Sequence, residues 1–131
     1  MPERDQRSTR QRTANRETFE RAGRPLSPQQ VLEAARAEIS GLGIATVYRN
    51  IKALLESGWL AAIELPGAGT VYERAGKIHH HHFHCDRCSR VFELSGCIPG
   101  INRLAGRRFS VTRHELVLYS VCAECKAASP A

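Results

Sequence analysis

Residues 43–74 read GIATVYRNIKALLESGWLAAIELPGAGTVYER. Val47, Ile51, Leu54 and Leu55 recur at the three- and four-residue spacing of a helix with one apolar face, and Gly58 is placed to end it. Two strand-like segments follow, Trp59 to Leu65 and Thr70 to Arg74, joined by the turn PGAG. The stretch is one helix and a ribbon, so the flanking chain has to supply the rest of a core.

Upstream, Arg10 to Arg21 is compatible with a helix anchored by Ala14, Phe19 and Ala22, and Gly23 and Pro25 break it. Ser27-Pro28-Gln29-Gln30 starts another helix, with Ser as N-cap, Pro at the first helical position and Gln three residues on, the pattern of a capping box. Val31, Leu32, Ala35 and Ile39 give it an apolar face, and it is expected to end near Gly41. Three helices followed by a two-stranded ribbon make a winged helix-turn-helix. Such domains place the third helix in the major groove of DNA. Its polar side here carries Thr46, Arg49, Asn50 and Lys52, with Tyr48 near its start, residue types that meet base edges and phosphates. Any solvated helix also presents a polar face, so the second half of the chain decides between these readings.

That half opens with HHHHFHCDRC at residues 79–88. The run lies mid-chain and leads into a Cys-x-x-Cys pair, which separates it from a purification tag. Cys85 and Cys88 match a second pair, Cys122 and Cys125, and a two-residue gap lets both sulfurs of a pair reach one zinc ion. The 33 residues between the pairs exceed a zinc-ribbon gap. VFEL, CIPGINRLAGRR and HELVLYSV within them are therefore read as strand, short helix and strand. Cys97 is left over.

An extended run alternates its side chains, so His79 and His81 point one way and His80, His82 and His84 the other. One short run can thereby serve two separate metal sites, the alternative being an exposed histidine run with no ligand role. Glu73 and Glu93 are placed to join His80 and His82 on one face, while His114 and Cys97 are candidates to join His79 and His81 on the other. Imidazole and carboxylate ligands suit zinc, ferrous iron or manganese.

The 131 residues, 42% hydrophobic and 6% aromatic, allow one ordinary domain or two small ones without a generous core. No apolar stretch approaches the roughly 20 residues that span a bilayer, and the charged start MPERDQRSTRQRT lacks a secretory signal, so a soluble cytoplasmic protein is expected. Paired cysteines in a reducing cytosol read as metal ligands rather than disulfides. The net charge of +6 fits an anionic partner only weakly, since residues 1–74 carry 11 basic against 9 acidic side chains. A zinc enzyme is disfavoured: there is no His-Glu-x-x-His or His-x-Glu motif, and four thiolates leave no open coordination position. A metal-buffering or thiol redox-switch protein that binds no specific DNA is the alternative.

Taken in order, GIATVYRNIKALLESG, VYE, HHHHFHCDRC, VFEL and HELVLYSVCAEC resemble the ferric uptake regulator family of metal-responsive repressors from about Thr9 to Cys125. The resemblance implies an α+β homodimer with a winged-helix DNA-binding domain at 1–74, a hinge at 75–78 and a metal-binding α/β dimerisation domain at 79–131. It implies operator DNA as partner, a divalent metal as corepressor, and neither a membrane nor a small-molecule substrate. The family's structural zinc ligands fall on Cys85, Cys88, Cys122 and Cys125, and its hinge sensing site on Glu73, His80, His82 and Glu93. Its further site falls on His79, His81 and His114, its DNA-contacting pair on Tyr48 and Arg49, and a basic residue of its first helix on Arg12. Two departures stand out. Arg24-Pro25 lies where many members have a histidine ligand, and Ile98-Pro99-Gly100 lies where an acidic partner of His79 and His81 is usual, leaving Cys97 as the candidate substitute.

Overall fold

The structure, a computed structural model, describes residues 2–128. The chain divides into two compact units, Met1–Gly76 and Lys77–Ala131.

In the first unit, helices α1 (Pro2–Ala22), α2 (Pro28–Ala35) and α3 (Ile44–Glu56) precede the antiparallel strands β1 (Leu60–Leu65) and β2 (Gly69–Arg74). α1 begins well before the expected Arg10, and Ala14 and Phe19 are buried on it as anchors. α2 starts with the capping box: the Gln30 amide donates to Ser27 Oγ at 3.2 Å and the Ser27 amide donates to Gln30 Oε1 at 3.0 Å. It stops at Ala35, short of Gly41, because the amides of Glu38 and Ile39 both fold back onto the Ala35 carbonyl. Ile39 still packs against the core from that turn.

α3 ends as its glycine predicts. Gly58 has φ 81°, and its amide and that of Trp59 donate to the carbonyls of Leu55 and Leu54 at 3.1 and 3.0 Å, the paired bonds of a Schellman end. Val31, Leu32, Ala35, Val47, Ile51 and Leu54 are buried together with Phe19 and Leu26. Leu26 also exchanges two backbone hydrogen bonds with Tyr72, at 2.9 and 2.8 Å, adding a one-residue third strand to the ribbon.

In the second unit, β3 (His80–Cys85) is flanked by β4 (Val91–Ser95), antiparallel, and β5 (Val117–Ser120), parallel. A parallel neighbour needs a long connection, and residues 96–116 provide it with a single 3-10 turn at Ile101–Ala105. The predicted strand, short helix, strand order holds, although HELVLYSV contributes only four strand residues. A short helix α4 (Ala123–Ala128), which the sequence patterns do not predict, carries Cys125.

The two units differ in what holds them. Among the described residues, those buried in the second unit are His81, Cys85, Val91 and Cys122. Three of these four are candidate metal ligands, so among the described residues Val91 is the one buried apolar side chain of this unit outside the ligand clusters.

Candidate metal centres and nucleic-acid face

The parallel pairing of β3 and β5 sets Cys85 opposite Ser120, and so brings the end of β3 to the cysteines that follow β5. Cys85, Cys88, Cys122 and Cys125 converge, with all four sulfurs within 4.8 Å of one another and the Cys88 and Cys122 sulfurs 3.8 Å apart. Four sulfurs about 2.3 Å from a tetrahedral zinc stand about 3.8 Å apart, so the set fits that ion. Burial raises the Cys85 thiol, but the amides of Cys88 and Cys122 donate to its sulfur at 3.4 and 3.3 Å and outweigh it, bringing the pKa to about 6. Cys125 is pushed the other way, to about 12, by burial and then by the three neighbouring cysteines. A divalent cation relieves that crowding because it binds all four as thiolates. Arg90, two residues past Cys88, donates from Nε to the Cys88 sulfur at 3.3 Å and holds Glu124 at 2.8 Å, and Arg87 donates to the Cys125 carbonyl at 3.2 Å. Sequence reading passed over both arginines, although a cation beside a dianionic centre is the visible signal.

The histidines sort as alternation requires. On one face the His80 and His82 rings lie 4.8 Å apart, and His82 pairs in register with Glu93. Glu93 Oε1 is 3.6 Å from His80 Nδ1, and its other oxygen meets Lys77 at 3.4 Å. His80 Nδ1 donates to the Ile78 carbonyl at 2.7 Å, which leaves Nε2 with its lone pair. Glu73, the remaining member of this predicted set, lies buried on β2 of the first unit, opposite Ala61.

On the other face the ligand atoms of His79, His81, Cys97 and His114 all lie within 4.8 Å of one another. The Cys97 sulfur is 3.2 Å from His81 Nε2 and 3.0 Å from His114 Nε2, and the Nε2 atoms of His79 and His114 are 3.1 Å apart. His81 is 3% exposed; burial, then the charges of His79, His114, His82 and His80, lower its pKa and favour the neutral ring that binds metals. Asn102 Oδ1 accepts from His114 Nδ1 at 2.8 Å. No motif pointed to Asn102. His84 pairs with Asp86 at 3.1 Å and packs on the Tyr119 ring.

In the first unit Tyr48 is 55% exposed, and Arg49 and Lys52 are exposed beside it on α3. Arg49 donates to the Oγ1 of half-buried Thr46 at 3.0 Å. Exposed Arg12 shares a groove between α1 and α3 with Arg7, Gln11, Thr46 and Arg49. Asn50 corrects the expectation of an exposed side chain. It is 6% exposed, because residue 50 falls between Val47, Ile51 and Leu54 on the inward side of the helix.

A winged helix joined to a unit rich in clustered thiols and imidazoles defines a metal-responsive transcriptional regulator. The sequence model of the Ferric uptake regulator family matches residues 3–119, and the chain belongs to that family, whose members are regulators and not enzymes. The ferric uptake regulation protein of Campylobacter upsaliensis is 32% identical over 124 residues, 89% of this chain and 78% of that protein. Among solved structures, the Francisella tularensis ferric uptake regulator with iron is 28% identical, with a TM-score of 0.68 over 88% of this chain and 90% of its own. The Helicobacter pylori regulator, whose structure reveals three functional metal binding sites, is 25% identical, with a TM-score of 0.67 over 89% of this chain and 80% of its own.

Proposed function

We propose that the chain is a cytoplasmic homodimeric repressor that binds operator DNA through α3 when a divalent ion occupies Glu73, His80, His82 and Glu93. The observation that carries this reading is the pairing of His82 with Glu93 beside His80, a nitrogen and carboxylate set that suits Fe2+, Zn2+ or Mn2+. Cys85, Cys88, Cys122 and Cys125 hold a separate structural Zn2+. Five free cysteines, four of them converged on one point, suit a reducing compartment. No helix among the described residues is long and apolar enough to cross a membrane.

For DNA, Tyr48, Arg49 and Lys52 supply an exposed polar face, and the groove holding Arg7 and Arg12 supplies positive charge beside it. For the dimer, β5 lies at the edge of the three-stranded sheet with Leu118 47% and Tyr119 41% exposed. An uncovered edge with outward apolar side chains suits a second copy of the same chain, joined by a twofold axis. Glu73 belongs to the first unit and His80, His82 and Glu93 to the second, and the two recognition helices of a dimer must match the spacing of the DNA half-sites. The test is DNA binding by purified protein across Fe2+, Zn2+ and Mn2+ concentrations. Sequence-selective binding that rises with one of these ions is expected, and selective binding indifferent to all three would sink the corepressor role.

A further inference from the structure

The cluster on the His79 and His81 face contains one atom that the hinge set lacks, a sulfur. We propose that Cys97 is a metal ligand, closing a four-coordinate centre with His79, His81 and His114 that selects a thiophilic divalent ion of the zinc class. The ion clips the β4–β5 connection onto β3. The histidines alone would reproduce the family's further site; the thiolate is what this chain adds. All four residues belong to the second unit, and the assignment stands whether or not the chain binds DNA.

Distances support a shared ion. Nitrogens about 2.0–2.1 Å and a sulfur about 2.3 Å from a tetrahedral zinc stand about 3.3–3.6 Å from one another. The contacts of 3.0, 3.1 and 3.2 Å in the cluster lie close below that range, so a small outward shift seats the ion. Asn102 positions one ligand. By accepting from His114 Nδ1 it fixes the tautomer whose Nε2 lone pair faces the cluster, the outer-shell arrangement typical of metal-binding imidazoles. His81 needs one rearrangement. The Leu116 amide donates to its Nδ1 at 3.2 Å, so the ring proton sits on Nε2 toward Cys97 and moves to Nδ1 on ligation, at the expense of the Leu116 contact. The Cys97 thiol releases its proton to solvent as the metal–sulfur bond forms.

The placement of the ligands gives the ion a mechanical role. Cys97 and His114 stand near the two ends of the 96–116 connection, which has only one 3-10 turn, whereas His79 immediately precedes β3 and His81 lies near its start. An ion therefore closes a long, otherwise weakly held loop against the sheet. The ligand chemistry sets its preference. Thiolate is a soft donor that favours zinc, while the carboxylates of the hinge set suit harder ions such as manganese. The two faces of β3 are thus built for different metals and can be filled together.

The test uses full-length protein stripped of exchangeable metal by a mild chelator but retaining one zinc per chain on the four paired cysteines. Cobalt(II) is then added. The paired cysteines are occupied and the hinge set has no sulfur, so a thiolate-to-cobalt charge-transfer absorption reports Cys97 alone. The band is expected at one equivalent in the parent and absent in Cys97→Ser, with the structural zinc unchanged. Asn102→Ala is expected to weaken cobalt binding about 10–100-fold. No band in the parent, or a band that persists in Cys97→Ser, would overturn the assignment. A second readout is alkylation of Cys97 followed by peptide mapping: added zinc is expected to block it, and an unchanged rate would count against ligation.

Discussion

Arg90 Nε points at the sulfur of Cys88 from 3.3 Å. The contact raises the Arg90 pKa, with Cys88 first and Glu124 second among the causes, so the guanidinium remains a fixed positive charge beside the four cysteines. Four thiolates around one zinc would carry a net charge of about −2, of which this cation would offset about half. Arg90→Ala is expected to lower zinc affinity about 10–100-fold, in line with other outer-shell losses. The rate at which a strong chelator removes zinc checks this, and an unchanged rate would mean that the arginine is a surface contact only.

The hinge assignment predicts a separation of two metals. Glu73→Ala or His82→Ala is expected to remove the metal-dependent gain in operator binding, a coupling on the order of 1–3 kcal/mol, while zinc stays on the cysteines. Elemental analysis and DNA titration on the same preparation distinguish the outcomes. A variant that keeps its metal response would move the sensor elsewhere.

Side chains on α3 and at the α1 groove beside it should divide by exposure. Arg49→Ala is expected to cost about 1–3 kcal/mol at the preferred site and to relax base preference there, as loss of a base contact does. Arg12→Ala should weaken all sequences alike and lower the salt slope by about 1. Asn50→Ala, at an inward position, should alter thermal stability and leave base preference alone. Competition titrations with mutated sites, at two salt concentrations, separate the three behaviours.

If β5 pairs with a second copy, a charge on its exposed side chains should split the dimer. Leu118→Glu with Tyr119→Lys is expected to yield monomers by sedimentation velocity, with zinc content unchanged. Dimers that survive both substitutions would place the interface on another surface.

Two helix ends give calibrated fold tests. Ser27→Ala removes the cap of α2 and should cost about 1 kcal/mol. Gly58→Ala meets no neighbouring atom within 4 Å but forces an alanine into φ 81°, for about 1–2 kcal/mol. Denaturant midpoints with unchanged slopes check both.

Much of the structure could be read along the chain, for reasons of period and chemistry. The capping box, the Gly58 stop and the strand alternation depend on neighbouring residues, and each appears where local rules put it. The convergence of the cysteine pairs was legible because zinc chemistry dictates it. Features that depend on distant partners were not. The Leu26–Tyr72 bridge involves one residue, too short for any pattern. Asn50 is polar and adjacent to exposed Arg49, and only the angular position of residue 50 on the packed helix shows that it turns inward. Asn102 lies in an irregular connection, where sequence spacing says nothing about which side chain will meet His114.

The four consecutive histidines at residues 79–82, the last three of them on β3, pose a problem of alignment. If the strand slid by one residue against β4 and β5, odd and even histidines would exchange faces, yet each face would still present imidazoles. The run is nearly degenerate and cannot by itself tell the correct pairing from its neighbour. Cys85, at the end of the same strand, is the one thiol on it: a one-residue slip would turn its sulfur away from Cys122 and leave a zinc ion at that centre with three thiolates. A zinc ion held by the four cysteines would therefore work as a ruler, penalising the one-residue slip, and a chain that acquired it early would have its histidine faces assigned before any second ion arrived.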